Sequence, residues 1–352
     1  MTRSPDLSTL PKVLLHEHLD GGLRPATLLE LMDARGMVSP APTLSGLQAW
    51  FLARAHAGSL VEYLRGFALT VAAMATPDAM ERVAFEAAED AHLDGCVLAE
   101  FRIAPKLFEP HGVGADAATE ALVAGLQRAS ASTGMPCGLI VCAMRHHSAA
   151  DVARSGETAL RHHGRGVVGF DLAGPEAGFP ATLHARTLKR LRDAGLPLTL
   201  HAGEADVAER VLEAADLGAA RIGHGVRLAD VMGVAGRAHL VDAVIARGLH
   251  LEVCPTSNVH TGAAASIATH PIRALWDAGI SLSYNTDNRL ISCIDLTAEA
   301  ANLVEHAGFD VADLVRMGIM AADHSFLPEA ARQRARAALT TWSAAHGIPV
   351  AA

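Results

Sequence analysis

The chain has 352 residues, of which half are hydrophobic, and it carries 38 acidic against 29 basic side chains, a formal net charge of −9. This length suits one α/β barrel with insertions, and the hydrophobic content is enough to bury a sizeable core. We therefore expect a single domain over residues 1–352. An acidic surface repels phosphate backbones, which argues against nucleic acid as the main partner.

Cysteine usage and apolar runs indicate the compartment. The five cysteines are odd in number and include no C-x-x-C pair, which argues against a disulfide framework or a thiolate zinc cluster. Residues 1–10 lack the apolar region of a signal peptide, and no run of 18 apolar residues suggests a membrane span. We expect a cytoplasmic protein with reduced thiols and no membrane partner, whose oligomeric state the sequence does not indicate.

Eight short β-rich runs alternate with helical patterns along the chain. Most of these runs are apolar on both faces, as in a parallel sheet that helices cover. The alternation predicts a (β/α)8 TIM barrel. The predicted strands are Val13–His18, Cys96–Ile103, Cys137–Ala143, Gly166–Leu172, Pro197–His201, Arg221–His224, Leu249–Cys254 and Ile280–Asn285.

The interval between the first two predicted strands, residues 19–95, is much longer than the others. We expect it to hold extra helices inserted after strand 1. Thr27 and Glu30 have the spacing of a capping box at the start of one such helix. Another helix has a single apolar face formed by Leu60, Tyr63, Leu64 and Phe67. An insertion here lies at the C-terminal rim of the barrel, where active sites form, and would serve either as a lid or as packing on the barrel.

The strongest local signal is the sequence H-E-H at positions 16–18, at the end of the first predicted strand. Residues two apart on a strand point the same way, so these two imidazoles can share one metal ion. Further polar residues of the metal-binding type stand at the ends of strands 5, 6 and 8, namely His201, His224 and Asp287. Catalytic groups of barrel enzymes lie at this end, and chance histidines there would leave buried nitrogens in need of partners.

Three imidazoles and one carboxylate suit zinc, and they leave room for a water whose pKa can fall to about 7. Other divalent ions accept the same ligand types. His224 and Glu204 stand at the same end of the barrel outside that set. A histidine there can take a proton from the water, and a carboxylic acid can protonate a substrate nitrogen. The set indicates hydrolytic attack on a carbon–nitrogen centre.

These motifs resemble the adenosine deaminase family. The matching segments are HEHLDGG (16–22), FDLAGPE (170–176), HAGE (201–204), IGHG (222–225), CPTSN (254–258) and NTD (285–287). They lie in the family's order and, with weaker similarity between them, cover nearly the whole chain. The resemblance implies a small-molecule purine nucleoside as the substrate. Adenosine or 2′-deoxyadenosine would be deaminated to inosine or 2′-deoxyinosine plus ammonia, as in purine salvage.

For the chemistry, the resemblance implies one zinc ion per chain and two catalytic side chains. His224 would orient the attacking water and take its proton. Glu204 would protonate purine N1 while the water oxygen adds to C6. The implied zinc ligands are His16, His18, His201 and Asp287.

For substrate recognition, the resemblance implies contacts to both sugar and base. Asp20 would accept a hydrogen bond from the ribose 5′-hydroxyl, with His18 nearby, and the backbone of Gly174 would contact purine N3. The implied supporting residues are Asp171, which lies behind the site, and Tyr63 and Phe67, which belong to the apolar cover over the sugar.

The chain departs from the family's pattern at Asn288, where the family usually has a second aspartate that contacts purine N7. N7 carries a lone pair and needs a donor, which an asparagine amide supplies at any pH. We therefore expect Asn288 to bind the substrate. The change is either a harmless variant or an adaptation to a different purine derivative.

Several alternatives stay open beside adenosine. Relatives that act on free adenine tend to have glutamate at the position of Asp20, and the charge of Asp20 would repel a 5′-phosphate. A nucleoside with a larger 5′ group, such as aminodeoxyfutalosine, is compatible with the motifs. A non-catalytic nucleoside-binding protein should have lost Glu204, His224 or a ligand, and none is lost.

Two further predictions concern the number of metal ions and a pair of histidines. Binuclear barrel hydrolases usually have a lysine on strand 4, and the segment 166–172 has none, which favours one metal ion. The consecutive histidines at positions 146–147 would face two directions on a regular element. We expect them to be exposed and outside the site.

Overall fold

Eight parallel strands form a barrel at the centre of the computed structural model, which describes residues 6–56 and 60–349, without the side chains of 60–65. The barrel confirms the predicted fold, and each strand begins and ends within two residues of its predicted bounds. The strands are β1 (Lys12–His18), β2 (Cys96–Ile103), β3 (Cys137–Met144), β4 (Val167–Ala173), β5 (Thr199–Ala202), β6 (Arg221–His224), β7 (His250–Val253) and β8 (Ser281–Tyr284).

The strands pair in chain order in two four-stranded halves, β1 to β4 and β5 to β8. Short seams join the halves. Between β4 and β5, Phe170 N donates to Pro197 O at 2.9 Å. Between β1 and the end of β8, His18 N donates to Asp287 O at 2.7 Å, and Asp287 N donates to His16 O at 3.0 Å. The second seam therefore runs through three of the predicted metal ligands.

Helices lie between successive strands and after β8. In the described part of the chain, none of them is both long and apolar enough to cross a membrane. The helices are α1 (Pro25–Ala34), α2 (Leu44–Ala55), α3 (Leu60–Ala73), α4 (Pro77–Leu93), α5 (Ala115–Thr133), α6 (Ala149–His162), α7 (Ala185–Asp193), α8 (Glu209–Asp216), α9 (His239–Ala246), α10 (Pro255–His260), α11 (Ile272–Asp277), α12 (Arg289–Ser292), α13 (Leu296–His306), α14 (Val311–His324) and α15 (Glu329–Ala345).

The segment between β1 and β2 carries α1 to α4 in its described part. Helix α3 lies over the C-terminal end of the barrel, where the ring of Phe67 packs edge-on against His18 at 6.5 Å between centroids. Tyr63 belongs to the same helix, but its side chain is outside the part that the structure describes. The insertion thus places a helix over the barrel mouth, where a lid would lie.

The predicted capping box at Thr27 and Glu30 is wrong, because α1 begins at Pro25, three residues before the start that a cap at Thr27 predicts. Pro25 takes the first helical position, which suits its fixed φ and missing N–H. The Thr27 hydroxyl instead donates to Glu86 of α4 at 2.5 Å. Glu30 pairs with Arg82 at 2.8 Å. Both side chains therefore join helices α1 and α4.

A buried carboxylate joins strand β1 to the segment that follows β8. Glu17 is fully buried, and it accepts hydrogen bonds from Arg289 Nε at 2.7 Å and from the Thr286 hydroxyl at 2.9 Å. The same guanidinium lies 3.2 Å from Asp90 of α4. Arg289 thus supports the seam between β1 and β8 from outside the barrel.

Replacing Arg289 with alanine should lower the free energy of unfolding by about 3–5 kcal/mol, because it leaves the charge of Glu17 buried and unpaired. The matched control is Arg247→Ala, which removes an exposed ion pair with Asp216 and should cost no more than about 1 kcal/mol. Urea unfolding followed by circular dichroism measures both values. Equal losses for the two variants would contradict the supporting role of Arg289.

Candidate active site

A cavity of about 520 Å³ opens at the C-terminal end of the barrel. Its outer wall is apolar and includes Phe67 and Val71 of α3. Its polar part gathers most of the residues that the sequence predicts for catalysis and binding. These are His18, Asp20, Gly174, His201, Glu204, His224, Asp287 and Asn288.

The four predicted metal ligands come together at the base of this cavity, where His18, His201 and Asp287 line the wall and His16 is fully buried beside them. One potential ligand atom from each of His16, His18, His201 and Asp287 lies within 4.8 Å of the others. Asp287 Oδ1 is 3.4 Å from His16 Nε2 and 3.5 Å from His18 Nε2, and His18 Nε2 is 3.3 Å from His201 Nε2. Four ligands at zinc–nitrogen bond lengths around one centre stand about 3.3 Å apart, so the spacing fits a tetrahedral ion.

Burial supports the same conclusion about a metal ion. His16 Nε2 is buried and has no hydrogen-bond partner among the described residues. Burial also lowers the pKa of His18 and of His201, so both imidazoles stay neutral and can ligate a metal. The residues present therefore fit a divalent cation.

A second set of ligand atoms also lies within 4.8 Å and replaces two of the predicted ligands by His224 and Cys254. Cys254 binds a metal only as the thiolate. Burial, and then the charge of Asp287, raises the pKa of this thiol well above its ordinary value. The site of three histidines and one aspartate is therefore favoured.

Two of the histidines are held from behind by buried carboxylates. His201 Nδ1 lies 2.9 Å from Asp171 Oδ2, and His16 Nδ1 lies 3.0 Å from Glu252 Oε2. A carboxylate at Nδ1 fixes the proton there and directs Nε2 to the metal position. The sequence predicts the supporting place of Asp171, but it did not indicate Glu252, whose only signal is a charge within the apolar strand β7.

Arg102 of β2 joins these two carboxylates. Its guanidinium donates to Asp171 Oδ2 at 2.9 Å and to Glu252 Oε2 at 2.6 Å, and all three side chains are fully buried. Burial would raise the pKa of Asp171, but the hydrogen bond from His201 and the charge of Arg102 hold it well below its usual range. Both carboxylates thus stay ionised behind the histidines.

The two predicted catalytic side chains face each other beside the metal position. His224 Nε2 is 3.7 Å from Glu204 Oε2. Burial, with the charge of Asp287, raises the pKa of Glu204 to about 7, and Thr261 donates a hydrogen bond to its other oxygen at 2.9 Å. Burial lowers the pKa of His224 well below its usual range. A carboxyl group that titrates near neutrality and a neutral imidazole suit proton transfer.

A hydrogen-bond relay sets the tautomer of His224. The N–H of Ile272 donates to His270 Nδ1 at 3.0 Å, so neutral His270 carries its proton on Nε2, which faces Asn258 Oδ1 at 3.2 Å. The Asn258 amide N–H then donates to His224 Nδ1 at 3.1 Å. The single proton of neutral His224 therefore lies on Nε2, directed into the site.

Backbone strain marks two of the functional residues. His224 has φ of 66° and Asp287 has φ of 58°, in the left-handed region that glycine favours. Such residues cost on the order of 1–3 kcal/mol each and persist where surrounding contacts hold them. The seam hydrogen bonds hold Asp287, whose carboxylate also accepts from the Ser257 hydroxyl at 2.6 Å. Each strand thus turns sharply at the residue that it delivers to the site.

The predicted substrate-binding residues lie around the same cavity. Asp20 is buried, its Oδ1 has no hydrogen-bond partner among the described residues, and burial raises its pKa to about 7. Gly174 has φ of 94°, which disfavours any other residue. The side chain of Asn288 lies against Gly21, where an added Cβ would stand 1.9 Å from Asn288 Oδ1. Gly21 therefore makes room for Asn288.

The structure also brings in residues that the sequence did not assign to the site. His146 was expected outside it, yet it lines the cavity rim beside Gly174, because β3 ends at Met144 and the chain crosses the rim there. Its position just after a predicted strand end was the available signal. Thr261 follows α10 and carried no such signal, because its contact with Glu204 depends on the folded loop.

Comparison with known proteins identifies the family. The family model for adenosine deaminase matches residues 11–342. The adenosine deaminase of Mycobacterium sp. (strain KMS) is 45% identical over 335 residues, which cover 92% of each chain. The chain belongs to the adenosine deaminase family. Membership confirms the resemblance drawn from the six motifs.

Solved structures show the same fold as this member of the adenosine deaminase family. The adenine deaminase of Arthrobacter aurescens aligns with a TM-score of 0.84 at 24% identity, covering 95% of this chain and 99% of that one. An amidohydrolase from Burkholderia ambifaria, solved with bound Zn, aligns with a TM-score of 0.87 at 24% identity, covering 97% and 92%. The likeness shows a shared barrel.

Replacing Asp171 with asparagine should weaken the affinity of the candidate site for a divalent cation, measured with Zn²⁺, about 10- to 100-fold, because His201 loses the anion that orients its ring. Competition with a chromophoric chelator measures the affinity. The control Asp216→Asn changes an aspartate whose side chain is 66% exposed and should leave the affinity as it is. A folded Asp171→Asn protein with unaltered affinity would contradict the role of His201 as a ligand.

Proposed function

We propose that the chain is a single-domain, zinc-dependent deaminase that converts adenosine and 2′-deoxyadenosine into inosine and 2′-deoxyinosine, with release of ammonia. One observation carries the proposal. Four potential ligand atoms that lie within 4.8 Å of one another stand beside Glu204 and His224. The family's curated relatives, such as the mycobacterial protein, bear the name adenosine deaminase.

His16, His18, His201 and Asp287 would hold one zinc ion per chain. The bound ion would act as a Lewis acid and lower the pKa of a water molecule to about 7. The neutral imidazoles of His18 and His201 and the ionised carboxylate of Asp287 are the ligand forms such an ion needs.

Glu204 is proposed as the group that moves the proton. Its pKa of about 7 lets the carboxylate take a proton from the attacking water and deliver it to purine N1. The oxygen then bonds to C6. The remaining proton of the new C6 hydroxyl passes to the amino nitrogen, the C6–N bond breaks as ammonia leaves, and the C6–O bond becomes the carbonyl of inosine. The Thr261 hydroxyl holds the other carboxylate oxygen and keeps Glu204 aimed into the cavity.

His224 is proposed to orient the water and to stabilise negative charge that develops on its oxygen. The resemblance implied that His224 takes the water proton. The relay through Asn258 places a proton on Nε2 already, so the neutral ring donates toward the oxygen. This role needs no change of tautomer during the reaction.

The substrate assignment rests on the sugar end and the base edge of the cavity. Asp20 would accept from the ribose 5′-hydroxyl, and in its ionised form it would repel a 5′-phosphate. The Gly174 N–H would contact N3, and the Asn288 amide would donate to N7. Phe67 would cover the sugar. These proposed contacts together favour an unphosphorylated 6-aminopurine nucleoside as the substrate.

Replacing Glu204 with glutamine should lower kcat for adenosine by at least about 100-fold, because the amide neither takes the water proton nor delivers one to N1. Loss of adenosine absorbance in the ultraviolet measures the rate. Glu209→Gln serves as the matched control, since that glutamate is exposed and pairs with Arg237. Its kcat should equal that of the wild type.

The same assay tests the substrate assignment with AMP, adenine and a nucleoside enlarged at the 5′ position. Adenosine should be turned over with the highest kcat/KM. Preference for a 5′-enlarged nucleoside would support the alternative substrate class. Bound zinc without turnover of any of the four compounds would contradict the proposed function.

A further inference from the structure

Glu176 follows β4 and is nearly fully buried, with 3% of its surface exposed. Its carboxylate accepts hydrogen bonds from four consecutive backbone amides in the loop that follows β5. The distances are 2.6 Å from Gly203 N to Oε1, and 3.0, 2.8 and 3.1 Å from the N atoms of Glu204, Ala205 and Asp206 to Oε2. Neither the proposed chemistry nor the proposed metal site uses this carboxylate.

The chemistry of the contact requires a carboxylate. Two ionised carboxylate oxygens offer about four acceptor positions and no donor, which matches four converging N–H groups. Hydrogen bonds to an ionised acceptor are also stronger than neutral ones. Glutamine of the same shape would turn an NH2 group toward some of these donors. The loop geometry therefore depends on the charge as well as on the length of the side chain.

Glu176 lies between two residues that are proposed to contact the purine. Glu176 stands two residues after Gly174, whose backbone is proposed to contact purine N3. Its carboxylate holds the N–H of Glu204, which is proposed to protonate N1. The segment 174–176 therefore includes the residue proposed to contact N3, and it also binds the loop after β5, which includes the residue proposed to contact N1.

We propose that Glu176 is a positioning residue that sets the spacing between the Gly174 backbone and the Glu204 carboxyl group, so that the site reads N1 and N3 of a 6-aminopurine together. The inference rests on the proposed function and deepens it. We call the four hydrogen bonds to Glu176 the clamp. Without the clamp, the loop that follows β5 would shift relative to Gly174, and the contacts to N1 and N3 of the purine would both weaken.

The test distinguishes a positioning role from a purely structural one by measuring whether the affinity of the protein still depends on purine N3. Calorimetric titration gives dissociation constants for inosine and for 3-deazainosine, in which a C–H replaces N3. The wild type should prefer inosine by about tenfold, the value of one hydrogen bond of about 1.4 kcal/mol. Glu176→Gln should prefer it by less than about threefold and should lose at least about tenfold in kcat for adenosine.

The matched control is Glu213→Gln, because Glu213 also accepts a backbone amide from another segment, Thr182 N at 3.2 Å. Thr182 does not line the cavity, whereas Glu204, whose N–H Glu176 accepts, does. It should keep the wild-type preference and kcat. If Glu176→Gln does not fold, Glu176→Asp, which keeps the charge on a shorter side chain, carries the same comparison.

The outcomes are distinguishable. A reduced preference for inosine with zinc content unchanged supports the clamp. A wild-type preference in the Glu176 variant, with only stability or overall rate reduced, overturns it and leaves a structural role. A wild type that does not turn over adenosine overturns the proposed function itself, whatever the variants do.

Discussion

The candidate site depends on one buried ionic network, in which Arg102 pairs with both Asp171 and Glu252. The two carboxylates hold the rings of His201 and His16, so the direction of both imidazoles is set by residues on β2, β4 and β7 rather than by loops. Loss of one partner of such a buried contact costs about 3–5 kcal/mol, because it leaves a charge unpaired. The network therefore couples the stability of the barrel to the arrangement of the ligands.

Barrel closure and ligand placement are one structural feature here. The seam between β1 and β8 consists of hydrogen bonds between the backbones of His16, His18 and Asp287. Asp287 adopts a left-handed conformation there, and the seam bonds offset the cost. Glu17 lies behind this seam, where its carboxylate accepts hydrogen bonds from Thr286 and Arg289 on either side of the segment that carries Asp287.

The strands and most of the cavity residues could be predicted from the sequence, because buried parallel strands are apolar on both faces and the polar residues stand at their ends. The roles of Arg102 and Glu252 could not be predicted, because a charged residue within an apolar strand does not indicate which residue across the barrel it pairs with. The hydrogen bonds of Glu176 could not be predicted either, because they form only when the loops after β4 and β5 come together in the folded protein. At Thr27 a local pattern failed because Pro25 starts the helix first.

The most direct test of the account is an anomalous-scattering crystal structure of the zinc-loaded protein with bound inosine. The account predicts one zinc peak per chain, with His16, His18, His201 and Asp287 at about 2.0–2.2 Å, and purine N1 within hydrogen-bond distance of Glu204. A peak bound by Cys254 and His224, a second peak, or a purine turned away from Glu204 would contradict it.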